Sequence, residues 1–213
     1  PIVTGVISKT SATVFATIIG IISLLIFWMF TTPLAALLAL IAISFYVFVY
    51  TMALKRRTSQ NIVWGGAAGC MPVLIGWAAV TNSLSLTALA FFMVIFFWTP
   101  PHFWSLAIKY KDDYSAAGIP MLPVVATKAR VHKEMWFHTI LMIACSIWLI
   151  ISAGLPLWSM VVTVLLGLVF ARELLALKEG SENYSKTAAK IFQWSITYLS
   201  LFSVVLVVAQ LSA

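Results

Sequence analysis

Apolar residues run in long unbroken stretches along this chain, and polar ones gather between them. Seven stretches, about 12–30, 34–54, 62–80, 86–108, 134–153, 157–177 and 191–211, each approach the roughly 20 apolar residues that a helix needs to cross a bilayer. The breaks between them are Thr31-Thr32-Pro33, Lys55 to Asn61, Thr81 to Ser85, Lys109 to Lys133, Gly154 to Pro156 and Lys178 to Lys190. A closed barrel, the other spanning solution, would show short alternating segments instead. The pattern therefore predicts an all-α integral membrane protein, a polytopic helical bundle with seven transmembrane helices.

Composition agrees. Charged residues are 9% of the 213 and hydrophobic ones 62%, whereas soluble domains carry roughly 25% charged residues. A soluble enzyme, a nucleic-acid-binding domain and a disordered tail are excluded. Cys70 and Cys145 both lie in apolar runs, too few for a disulfide framework or a zinc site.

The placement of charge adds orientation. All 13 Lys and Arg, including Lys9, Arg57, Lys111, Lys133, Arg172 and Lys186, fall in alternate loops or at the span ends beside them, and all six acidic residues share that side. By the positive-inside rule the charged face and the N-terminus are cytoplasmic, in a cell membrane, with the C-terminus outside. The span centres carry no Asp, Glu, Lys or Arg. That leaves no lysine to carry a retinal Schiff base and weakens ion-coupled transport. His102, His132 and His138 allow at most one pair of haem ligands. Chemistry or binding at the charged mouth remains.

Within the longest loop stand the only aspartates, Asp112 and Asp113. Adjacent carboxylates at a membrane surface suit Mg²⁺, a hard cation that bridges to phosphate oxygens. The plainer alternative is an ion pair with Lys109, three and four residues earlier. Lys55, Arg56 and Arg57 follow the second span, where the helix dipole favours cations. Lys128, Arg130 and Lys133 instead open the fifth helix after Thr127, a good N-cap, against the dipole. That placement suits a bound polyanion, or anionic lipid. Pro100 and Pro101 remove backbone donors late in the fourth span and predict a kink lined by Phe96, Phe97, Trp98, Phe103 and Trp104. Such rings either stabilise a cation or simply pack. His102, beside them, either contacts haem or forms a hydrogen bond inside the bundle.

Three strings carry a resemblance: TMALKRRTSQNIVWGGAAGCMPVLIGWAAVT (51–81), WTPPHFWSLAIKYKDDYSAAGIPMLPVV (98–125) and FQWSITYLSLF (192–202). In order and spacing they resemble the UbiA superfamily of intramembrane prenyltransferases, and within it the haem-modifying branch rather than the quinone branch. The resemblance implies a single transmembrane prenyltransferase domain over 1–213 that holds seven of the family's nine helices. Two helices and a first Asp-rich motif of form NxxxDxxxD would precede Pro1, and this piece alone would be inactive. Asp112 and Asp113 would be the second motif, holding Mg²⁺. Where relatives in the wider superfamily place an earlier carboxylate, this chain has Lys109, which leaves the number of metal ions open.

The implied reaction moves farnesyl from farnesyl diphosphate to a vinyl group of haem B, with addition of water, giving haem O. Haem B is then a substrate, not a cofactor. Asp112, Asp113 and Lys109 would be catalytic. Lys55, Arg56, Asn61, Lys128, Arg130, His102, Trp104 and Tyr114 would bind substrates. Partners would be the bilayer, the two substrates and other haem-oxidase biogenesis proteins, with no nucleic acid. Two alternatives stay open: a prenyltransferase for an aromatic or quinone precursor, and a non-catalytic haem-binding assembly protein.

Overall fold

The computed structural model describes residues 1–212. Among the described residues there are nine α-helices: α1 (Lys9–Phe30), α2 (Pro33–Ser44), α3 (Asn61–Thr81), α4 (Leu86–Lys109), α5 (Lys111–Ala116), α6 (Leu122–Val125), α7 (Lys128–Ser152), α8 (Leu157–Leu175) and α9 (Tyr184–Leu211). A π-helical segment, Phe45–Leu54, continues α2. Among the described residues seven helical spans are long and apolar enough to cross a membrane, and each corresponds to one apolar stretch of the sequence. The chain is a multi-pass membrane protein.

Local chemistry explains the span ends. Thr32 caps α2, accepting from Ala35 N at 3.1 Å, with Pro33 in the first turn where its missing N–H costs nothing. Ser85 and Thr127 cap α4 and α7 in the same way. Asn82 ends α3 in a left-handed conformation (φ 49°), which asparagine tolerates. α7 and α9 begin earlier than their apolar runs, because polar first turns, capped by Thr127 in α7, extend both helices beyond the hydrocarbon. α4 passes through Pro100 and Pro101 as one helix, with both prolines buried.

Long-range contacts sort the loops into two ends. At the uncharged end, Thr32 Oγ1 donates to Ala78 O (2.8 Å) and Thr87 Oγ1 to Ser152 O (3.1 Å). At the charged end, Ile62, Ala107 and Met121 form one buried cluster, so the start of α3, the end of α4 and the α5–α6 region share a rim. α4 is the hub and packs on α3, α7 and α9. The main core lies around it, with Trp104, Met135, Phe170, Tyr198 and Phe202 fully buried. α1 has no buried residue and packs on α2.

Candidate active site

A cleft of about 570 Å³ opens between the α2 π segment, α3 and α4. Tyr46 and Tyr50 form one wall, Gly65 and Gly66 another, and Trp98 and Phe103 a third. The glycines set its width. A Cβ on Gly65 would lie 2.7 Å from the Tyr50 ring, and one on Gly66 would lie 3.1 Å from Thr99. Gly65 thus lets the Tyr50 ring lie against α3. The π segment brings both tyrosines onto the wall, with ring centroids 5.2 Å apart. Thr51 Oγ1 donates to Tyr46 O (2.8 Å) and Lys55 N to Tyr50 O (2.8 Å), each five residues back.

Above the cleft sits the basic turn. Asn61 Nδ2 donates to Lys55 O at 3.1 Å and ties Lys55–Arg57 to the start of α3. Asn61 is 1% exposed, and its Oδ1 has no hydrogen-bond partner among the described residues. The neighbouring Ile62 lines the cleft and belongs to the rim cluster, against which Tyr114 and Ile119 pack. Tyr114 directly follows the two aspartates, so the turn that carries them lies at the same end of the bundle as the basic turn. Lys55, Arg56, Asn61, Asp112, Asp113 and Tyr114 are gathered at this end of α3 and α4.

Asp112 and Asp113 are exposed in the first turn of α5. Among the described residues the ion pairs are Arg130–Glu134 (4.0 Å) and Lys190–Glu173 (2.8 Å), so neither aspartate is bound to Lys109. Lys109 lies over the Tyr110 ring at 5.1 Å instead. Two unpaired carboxylates are hard-oxygen donors that suit Mg²⁺. Among the described residues no group of three or more His, Cys, Asp or Glu side chains is placed to hold a metal. A cation here would draw its remaining oxygens from a ligand and from water.

The aromatic motif at the end of α4 faces two ways. His102 is 9% exposed and stacks between Trp98 (4.1 Å) and Phe192 (4.6 Å). Ser195 Oγ donates to Phe192 O at 2.6 Å, so the Nδ1–H of His102 donates to Ser195 Oγ at 2.7 Å. Nε2 then keeps its lone pair. Trp98 Nε1 donates to Ser195 O at 2.7 Å and bolts the same seam. His102 thus lies on the α4–α9 seam behind Trp98 and is not a cleft-lining side chain. Trp104 is fully buried toward α7, edge-on to His138 at 5.3 Å, with its indole N–H unpartnered.

Lys128 and Arg130 stand apart from the cleft. Lys128 lines a separate hollow of about 320 Å³ with Lys111, Ser181 and Tyr184. Its Nζ donates to Glu179 O at 3.0 Å and lies over the Tyr184 ring at 4.6 Å, joining the start of α7 to the α8–α9 loop. Arg130 reaches Glu134 one turn along its own helix. Sequence reading passed over Tyr46, Tyr50 and Gly65. A pair of tyrosines four apart just before the basic turn was the available clue.

Known proteins bear on this arrangement. A protoheme IX farnesyltransferase of Renibacterium salmoninarum is 47% identical over 211 residues, covering 98% of this chain and 66% of its own length. Protoheme IX farnesyltransferase 1 of Saccharopolyspora erythraea is 47% identical over 210 residues, with the same coverage of both chains. A protoheme IX farnesyltransferase of Mycolicibacterium smegmatis is 51% identical over 154 residues, 72% of this chain and 50% of its own. The chain thus spans about two thirds of the length of the first two curated relatives. No solved structure matches it. The UbiA prenyltransferase family matches residues 1–208, nearly the whole chain, and the chain belongs to that family.

Proposed function

We propose that this chain is the larger part of an enzyme that transfers farnesyl from farnesyl diphosphate to a vinyl group of haem B. Water is added, and the products are haem O and diphosphate. One observation carries the reading: a basic turn and unpaired carboxylates share a rim with an aromatic cleft, in a chain nearly half identical to protoheme IX farnesyltransferases. By the positive-inside rule that rim faces the cytoplasm, and the C-terminus lies outside.

The residues divide the work by chemistry. Lys55, Arg56 and Lys109 would hold diphosphate oxygens, with Asn61 fixing the turn that presents the first two. Asp112 and Asp113 would hold Mg²⁺, which supplies charge neutralisation to the leaving diphosphate. The allylic C1–O bond breaks and its electron pair leaves with diphosphate. Tyr46, Tyr50, Trp98 and Phe103 line the cleft and would exclude water, and a ring whose face meets a nearby cation is worth about 0.5–2 kcal/mol to it. The vinyl π pair of haem B then bonds to C1, and water adds to the new cation and loses a proton. Tyr114 would help close the mouth. His102 would act through Trp98, holding that ring against the cleft, and Trp104 through α4–α7 packing.

The test supplies the complete gene product with farnesyl diphosphate, Mg²⁺ and either haem B or 4-hydroxybenzoate, and separates the products chromatographically. Haem O should form and no prenylated benzoate should appear. Prenylated benzoate alone would move the chain to the quinone-precursor reaction. Haem binding without product would make it a carrier.

A further inference from the structure

The hollow of about 320 Å³ beside Lys128 lies at the charged end of the bundle, yet it shares no lining residue with the aromatic cleft. α4 ends at its edge, and α5, α7 and α9 all begin there. Its walls change character with depth. Ile108, still within α4, and Val131, one turn into α7, lie on the membrane side with Pro123, and Val131 belongs to the main core. Lys111, Lys128, Ser181 and Ser185 stand at helix starts and in the loop, on the water side.

The polar half has donors to spare. An ammonium carries three N–H donors. Glu179 O takes one from Lys128 at 3.0 Å, and the Tyr184 ring, 4.6 Å from the ammonium, fixes where the others stand. α7 is capped by the Thr127 side chain, but Asn183 gives α9 no side-chain cap, so the first turn of α9 adds open backbone N–H groups. Charge narrows the ligand further. The wall holds two ammonium groups and one carboxylate, that of Glu182, which leaves a single net positive charge. A phosphodiester, with one negative charge, matches it. Free phosphates of higher charge would be repelled by Glu182.

We propose that this hollow binds the head of an anionic phospholipid, with its phosphate between Lys111, Lys128 and the start of α9, and its glycerol and upper chains against Ile108, Pro123 and Val131. Basic pockets between spanning helices at the cytoplasmic surface are the usual seats of such heads. The apolar floor favours an amphiphile over a soluble anion. A zwitterionic head would bring its own cation beside two ammonium groups.

Native mass spectrometry of the complete detergent-solubilised protein, titrated with phosphatidylglycerol, phosphatidylcholine or inorganic phosphate, tests the site. One phosphatidylglycerol should be retained at least about tenfold more tightly than phosphatidylcholine, and inorganic phosphate should neither bind alone nor displace it. Lys111→Gln combined with Lys128→Gln should weaken phosphatidylglycerol about tenfold or more, the scale of losing two cations beside a lipid surface. Arg57→Gln combined with Lys133→Gln removes the same charge from elsewhere on the face and should change it by less than about twofold. Ser185→Asp puts a carboxylate into the hollow and should also weaken it about tenfold, although an acidic residue in the first turn favours the helix itself. Circular dichroism confirms that each variant is helical. Equal losses in the two double variants would reduce the binding to a general attraction toward a basic surface and overturn the site. Equal retention of the two lipids, or displacement by inorganic phosphate, would overturn it as well, the latter by making the hollow a seat for soluble anions. None of these readouts involves prenyl transfer, so the site and the proposed reaction stand or fall separately.

Discussion

Two basic clusters stand on the same rim, and they are built differently. Around Lys55–Arg57 the cations follow a helix end, their turn is tied down by Asn61, and an aromatic cleft opens below. At the start of α7, Lys128 is already engaged by a carbonyl and a tyrosine ring, and Arg130 by a glutamate one turn on. The first cluster presents charge outward; in the second, Lys128 joins α7 to the α8–α9 loop and Arg130 pairs within its own helix. Cations that oppose a helix dipole therefore need not await a polyanion, because a neighbouring loop can supply the acceptors.

That contrast can be broken by substitution in the complete protein. The largest effect belongs to the carboxylates: Asp113→Asn should lower haem O formation by about 100-fold or more, the scale seen when one group that stabilises developing charge is removed. Chromatographic assay of haem O checks this, and near-normal output would refute a metal-holding role. Next comes the direct comparison of clusters. Arg56→Ala should weaken farnesyl diphosphate binding about tenfold, as losing a hydrogen bond to a charged group does. Lys128→Ala should change it by less than about twofold, because its ammonium is held by Glu179 O and the Tyr184 ring. Calorimetric titration of both variants decides it; equal losses would merge the two clusters into one clamp. The smallest effect is that of Asn61→Ala. Losing one hydrogen bond of about 0.5–1.5 kcal/mol should loosen the turn and raise KM for the diphosphate a few-fold, with kcat nearly unchanged. A matching fall in kcat would mean that Asn61 touches the reacting groups.

The spans were legible because length and apolarity alone select them, and Thr127 was legible as a cap because its side chain has a local target. The charged rim followed from counting loops. Side-chain direction was harder. In a bilayer, lipid and protein interior are equally apolar, so Trp98 and Trp104 read alike although one lines the cleft and the other is sealed against α7. His102 illustrates the same limit: its partner Ser195 lies on α9, 93 residues away, where no local pattern points. The short helices α5 and α6 depend on packing against Ala107 and against Ile62, the latter also distant in sequence. The ion pair expected of Lys109 gave way to a contact with its neighbour's ring.

The wide-turned stretch Phe45–Leu54 has a consequence for how this protein tolerates insertions and deletions. In an ordinary helix each residue advances the register by about 100°. Dropping a single residue there would let the stretch tighten into that ordinary winding without breaking the helix. Everything on its far side would be turned out of phase: one tyrosine would swing toward lipid, and Lys55 would leave the rim.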